Sequence, residues 1–322
     1  MRRLAALAVL LTAGCQSVAA SSFSGDPSCV LGEEDRAWLT GAPGVWRLVE
    51  RDVFRLGPLP KEPLYIFFDA ACTYQSADGR AWTVARHNDA IKTPDGETTE
   101  PGVTSSVTPA DTGPYMLMSL PGIWRAANVP DRGDMLALLN SVFAHEMAHV
   151  RQHGELYDRI GAAARRANLG NDFTDDIVQK RFGDNAEFKA AVEHERDILL
   201  AGFAGDDTAA RAAAREALSL IRARREKYFT GDNAAFLDLE DLFLSLEGMG
   251  QLSGYEWLVH PRGGARTSEA AVAQMRTRWW SQEEGMAIML IVTRLVPDWR
   301  QRAFAEHPQT ALQLLALAAG ET

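Results

Sequence analysis

Three observations predict an α+β fold that is predominantly helical. Short β-branched and aromatic runs gather in the first third of the chain, helical periodicity takes over beyond it, and no internal repeat interrupts that order. With 322 residues, 46% of them hydrophobic, the chain can bury a substantial core. We read residues 21–322 as one domain, β-containing over about 60–130 and helical over about 131–322.

Residues 16–28 are rich in Ser, Ala, Gly and Pro and read as a flexible spacer. Residues 33–56, with Trp38 and Trp46, read as mainly helical. Residues 64–68, 82–85 and 115–118 read as three strands, separated by the turn Pro94-Asp95-Gly96 and a Thr/Ser/Pro-rich loop. From Asp134 onward helices are expected near 134–153, 156–168, 187–203, 207–229, 233–249, 269–280, 283–295 and 309–319. Asp232 suits the N-cap of the helix that follows it, and the Ala/Arg tract 209–225 reads as a solvated helix.

The N-terminus begins Met1-Arg2-Arg3, followed by the apolar run 4–11 and Thr12-Ala13-Gly14 before Cys15, the pattern of an export signal within residues 1–20. That run is too short to span a bilayer. The ending 11–15 resembles the lipobox of bacterial lipoproteins, which implies lipidation at Cys15 and attachment to the cell envelope. Gln16 fits outer-membrane retention if the host is Gram-negative. The alternative is cleavage after Ala20, in Val18-Ala19-Ala20, giving a secreted or periplasmic protein. Either route exposes Cys29 and Cys72 to an oxidising compartment, where they can pair; two buried thiols are the other possibility. Removing residues 1–14 takes away Arg2 and Arg3 and no acid, moving the formal charge from −10 to −12, which argues against nucleic acid as a partner.

The chemistry concentrates in His145-Glu146-Met147-Ala148-His149. Four-residue spacing on a helix puts both imidazoles on one face, a turn apart, where they can share one zinc ion. The segment sits in an amphipathic pattern, apolar at Met135, Leu138, Leu139, Val142 and Met147, as that geometry needs. Glu146, one position round, is placed to take a proton from an activated water instead of binding the ion. Catalytic zinc also requires a third protein ligand. His153 is excluded, because a straight helix sets it about 12 Å from His145. Gln152 and Glu155 stand where the metzincin pattern demands Gly and His, which excludes that class.

Two downstream acids compete for the third place. Glu193-His194-Glu195-Arg196-Asp197 resembles the Glu-x-x-x-Asp of thermolysin-like gluzincins, whereas Leu246-Glu247-Gly248-Met249-Gly250 resembles the Glu-Gly-x-Ala segment of other gluzincins. Gly248, Gly250 and Gly254 would allow close approach to the His145 helix, which favours Glu247. More widely, these segments, with residues 195–200 and 282–299, resemble poorly characterised bacterial gluzincin-type proteins over pieces of residues 60–305. The resemblance implies a thermolysin-like zincin lobe, an edge strand at Tyr115–Ser119 able to pair with an extended substrate, and a transition-state donor. Tyr255 and His260 are the candidates for that donor. The expectation is a zinc metallopeptidase at the cell envelope acting on peptides or proteins; the alternative is a zinc-stabilised lipoprotein that binds a partner without catalysis.

Overall fold

The structure is a computed structural model, and it describes residues 21–322 apart from 60, 111, 171, 172 and 322. Residues 1–20, where the export signal and lipidation at Cys15 were expected, lie outside the described part. It is α+β and 57% helical, with a six-stranded N-terminal sheet followed by a helical C-terminal part.

The sheet comprises β1 (Ser22–Gly25), β2 (Leu64–Phe68), β3 (Cys72–Ser76), β4 (Ala81–Arg86), β7 (Ser105–Thr108) and β8 (Tyr115–Ser119), in the order β1-β4-β3-β2-β8-β7. The remaining strands, β5 (Ile91–Lys92) and β6 (Thr98–Thr99), form a separate ribbon. Pairing is parallel at β1/β4 and β2/β8 and antiparallel elsewhere. Strand β2 is buried on both faces, which explains why its sequence is a continuous apolar run instead of an alternating one.

Three strands depart from the sequence reading. Part of the expected spacer is β1, which pairs along the edge of β4 and is tied down nearby by the Cys29–Cys72 disulfide, with Cα atoms 5.9 Å apart. Strand β3 completes a hairpin with β2 that the periodicity did not signal. Tyr115–Ser119 is not the edge: β7, in the stretch read as loop, covers it and forms the sheet's free border.

Helix α1 (Glu33–Leu48) runs on into a π-helical segment at Val49–Phe54. It packs on the sheet's inner face with α3 (Met135–Gln152), Trp38 and Phe143 meeting Phe67 at ring separations of 5.3 and 6.2 Å. Helix α2 (Pro121–Ala126) links β8 to this layer. Beyond it come α4 (Glu155–Arg166), α5 (Ile177–Phe182), α6 (Ala186–Ala204) and α7 (Asp207–Tyr228). The last group is α8 (Phe236–Val259), α9 (Ser268–Met275), α10 (Trp280–Leu295), α11 (Trp299–Ala303) and α12 (Ala311–Ala319). Among the described residues no helix is long and apolar enough to cross a membrane.

Helix α8 is the axis of the helical part, buried along most of its 24 residues between α3 and α10. The sequence reading ended it at 249, whereas the helix runs on to Val259, and the three glycines act as the close contacts expected of them. A Cβ at Gly248 would meet the Gly285 carbonyl oxygen of α10 at 2.6 Å, and one at Gly254 the Ser141 carbonyl oxygen of α3 at 2.8 Å. Asp232 is not the N-cap of α8; it lies in a 3-10 turn, Gly231–Asn233, and the capping position falls on Ala235.

Candidate metal centre

Helix α3 starts at Asp134, whose carboxylate caps the Ala137 amide, and carries His145 and His149 on the face turned to α8. Both imidazoles are buried, 7% and 6% exposed, with ring centroids 4.6 Å apart. Gly250 permits this: the His145 ring lies against its backbone, where any Cβ would sit within 2.7 Å of ring atoms. Helix α8 then presents Glu247 to both rings. The Nε2 atoms are 2.9 Å from one another, and Glu247 Oε2 and Oε1 lie 3.3 and 3.4 Å from His145 and His149 Nε2.

Three buried donor atoms facing one another at these separations can hold a metal ion. An ion bonded to tetrahedral nitrogen and oxygen ligands at about 2.0–2.2 Å needs them about 3.3–3.6 Å apart, so the distance from each imidazole to its own Glu247 oxygen fits and the imidazole pair must open slightly. Two of the three, His149 and Glu247, are also held from behind. The Gln152 side-chain oxygen lies 3.2 Å from His149 Nδ1, while the Gln152 amide donates to the Ser245 carbonyl of α8. Gln282 of α10 donates to Glu247 at 3.1 Å and accepts from Gln251 at 3.0 Å. Such supports fix ligand orientation and commonly change metal affinity by about 10–100-fold.

The electrostatics of the three donors are linked. Burial would raise the Glu247 carboxyl, but the imidazoles and the Gln282 amide outweigh it and hold it down at about 2. Burial opposes charge on His145 too, yet the hydrogen bond and charge of Glu247 leave it raised; on His149 burial prevails and lowers it.

Glu146 faces the same cleft from α3 and accepts a hydrogen bond from Ser105 Oγ of β7 at 3.0 Å. The cleft holds about 580 Å³ between β7 on one side and α4, the 173–175 segment and α8 on the other. Tyr157 of α4 reaches into it; burial and the charges of Glu247 and Glu146 raise its pKa, keeping the phenol neutral. Asp175 also lines the cleft, its carboxyl pushed up to about 6 by burial and by Glu247.

Other expected site residues are elsewhere. Glu193, the alternative ligand, is half-exposed on α6 beside Lys189, and Asp197 of the same segment pairs with its neighbour Arg196. Helix α6 turns other residues inward, so the Glu-x-x-x-Asp likeness does not extend to the centre. Tyr255 bonds Ser268 and packs on Phe203, because two further turns of helix carry it away from Glu247. His260 ends α8 beside Asp52, at 3.4 Å. Ser105, Tyr157, Asp175 and Gln282 were not assigned roles from sequence; only Gln282 lay in a segment singled out there. Comparison with known proteins returned no matching family model, curated protein or solved structure.

Proposed function

We propose that the chain is a zinc-dependent hydrolase of the metallopeptidase type with a zincin-like catalytic core. The observation that carries this reading is Glu146. It stands one residue from His145, outside the three converging donors, with its carboxylate in the open cleft and steadied by the Ser105 hydroxyl. A site that only stabilises the fold has no use for such a carboxylate and is usually closed by four protein ligands. Here His145, His149 and Glu247 provide three, and the cleft leaves the fourth direction open.

Zinc held by these residues would supply an acidified water and a Lewis acid for the scissile carbonyl. Glu146 is placed to take a proton from such a water and to give it to the leaving nitrogen, and the Ser105 hydroxyl would hold its carboxylate in the orientation for both. The neutral Tyr157 hydroxyl is the donor to the developing oxyanion. Strand β7 is antiparallel to β8 and free on its other side, so an extended peptide can align along it. Action at the cell envelope rests on the export pattern of residues 1–20.

The test is Glu146→Gln in the full chain. It should keep about one zinc per chain by elemental analysis and lose peptide hydrolysis by 10³-fold or more, on the order of what loss of an essential proton-transfer group costs. Undiminished turnover in that variant would remove the mechanism. No zinc in either protein after reconstitution would remove the metal reading itself.

A further inference from the structure

The cleft has a charge left over. If the hydrolase reading holds, a dication at the centre offsets two of the three carboxylates that face it, Glu247 and Glu146, and leaves Asp175 uncompensated. Among the described residues, no lysine or arginine lines the cleft. A half-buried carboxylate without a cation is costly, and it becomes favourable when the ligand brings the missing charge. The same cleft has an apolar share in its lining: Ile160 of α4, Phe173, and Phe243 and Leu246 of α8. This combination, an apolar sleeve with one acid, suits a long side chain whose hydrocarbon stem is buried and whose head is cationic.

We propose that Asp175 sets substrate specificity, selecting peptides that carry lysine or arginine beside the scissile bond. The apolar sleeve is what favours a long basic side chain over a free peptide amino terminus, which offers the same charge without the stem. This rests on the proposed hydrolysis for its kinetic consequence, but the recognition itself is a property of the cleft.

Two measurements separate recognition from catalysis. The first uses the zinc-loaded full chain on peptides capped at both ends, differing only in Lys, Arg, Leu or Glu at one position, with an uncapped Leu peptide added. The Lys and Arg peptides should be preferred, and Asp175→Asn should lower kcat/KM for them by about 10–100-fold, the worth of a charged hydrogen bond, with little change for Leu. Asp175→Lys should turn the preference toward Glu. The second measures binding of the same peptides to Glu146→Gln protein by fluorescence anisotropy, with and without Asp175→Asn. Charge-selective binding lost in the double variant supports the proposal even if no peptide is cleaved, in which case only the hydrolase reading fails. Equal loss for all peptides, a wild-type preference for Leu or Glu, or a basic preference untouched by Asp175→Asn would overturn it. Preference for the uncapped Leu peptide over Lys and Arg would overturn the side-chain assignment in favour of an amino-terminal cation.

Discussion

Two sets of buried glutamates share the same helices and meet different fates. Seven residues before Glu247 on α8 is Glu240, and two residues after Gln282 on α10 is Glu284. Together with Glu195 of α6 they surround Arg224 of α7, whose side chain is 1% exposed. Arg224 lies 2.8 Å from Glu195 and 3.5 Å from Glu284, contacts Glu240, and stacks over the Phe188 ring at 4.8 Å. The chain therefore supplies its own cation in the first cluster. Around Glu247 the described residues bring no lysine or arginine, only two imidazoles and the proton they can hold. The difference distinguishes a cluster closed by its own cation from one that could hold a metal ion.

Removing the built-in cation should have the largest effect. Arg224→Met leaves Glu195 and Glu284 without a cation and Glu240 with Arg225 alone, and should cost about 3–5 kcal/mol of unfolding free energy, measured by urea denaturation. Replacing Glu195, Glu240 and Glu284 by Gln in the same variant should recover most of that loss, since the uncompensated charges go. Failure to recover would mean that Arg224 acts through packing on Phe188, not through charge. At the other cluster the corresponding change is smaller and lies in metal affinity. Gln282→Ala frees one oxygen of Glu247 and the amide of Gln251, and should weaken zinc binding about 10–100-fold in a competition titration while costing the metal-free chain less stability than Arg224→Met does. A metal-free protein as damaged by Gln282→Ala as by Arg224→Met would erase the contrast.

The same contrast marks what was legible in the sequence. His145, Glu146 and His149 could be read because their relation is local, set by helical spacing alone, and Glu247 because small residues beside it announced a close helix contact. Those glycines are the contacts, Gly250 for the His145 ring and Gly248 for the α10 backbone, but the helix end read at 249 was short: α8 continues for nearly three more turns. Tyr255 followed into error, its assignment resting on a fold-back that a continuous helix forbids. Strand β7 escaped notice because Ser105–Thr108 is a half-buried border with little apolar alternation, yet it supplies the hydroxyl that holds Glu146. Arg224 looked like part of a solvated Ala/Arg helix. Nothing local distinguishes it from the arginines around it; burial by α6, α8 and α10 does.

The smallest effect is the most diagnostic of the closed cluster. Two guanidiniums, Arg224 and, beside Glu240, Arg225, face three carboxylates, and burial, ahead of the attraction of Arg224, raises the Glu284 pKa well above its ordinary value and raises Glu195 as well. Glu284 thus binds its proton more tightly in the folded chain than in the unfolded one. Its contribution to stability is full below the unfolded value near 4.5 and is lost as the pH rises through the folded value. Glu284→Gln keeps the shape of the protonated acid and cannot ionise. Urea midpoints measured upward from pH 5 on metal-free protein should therefore fall in the wild type and fall less in Glu284→Gln, the gap widening with pH to about 1 kcal/mol or more, the worth of one pKa unit. Parallel curves would mean that Arg224 and Arg225 already hold all three carboxylates ionised. The cluster would then tolerate uncompensated negative charge without a proton, and the absence of a built-in cation at Glu247 would lose its force as a sign of a metal.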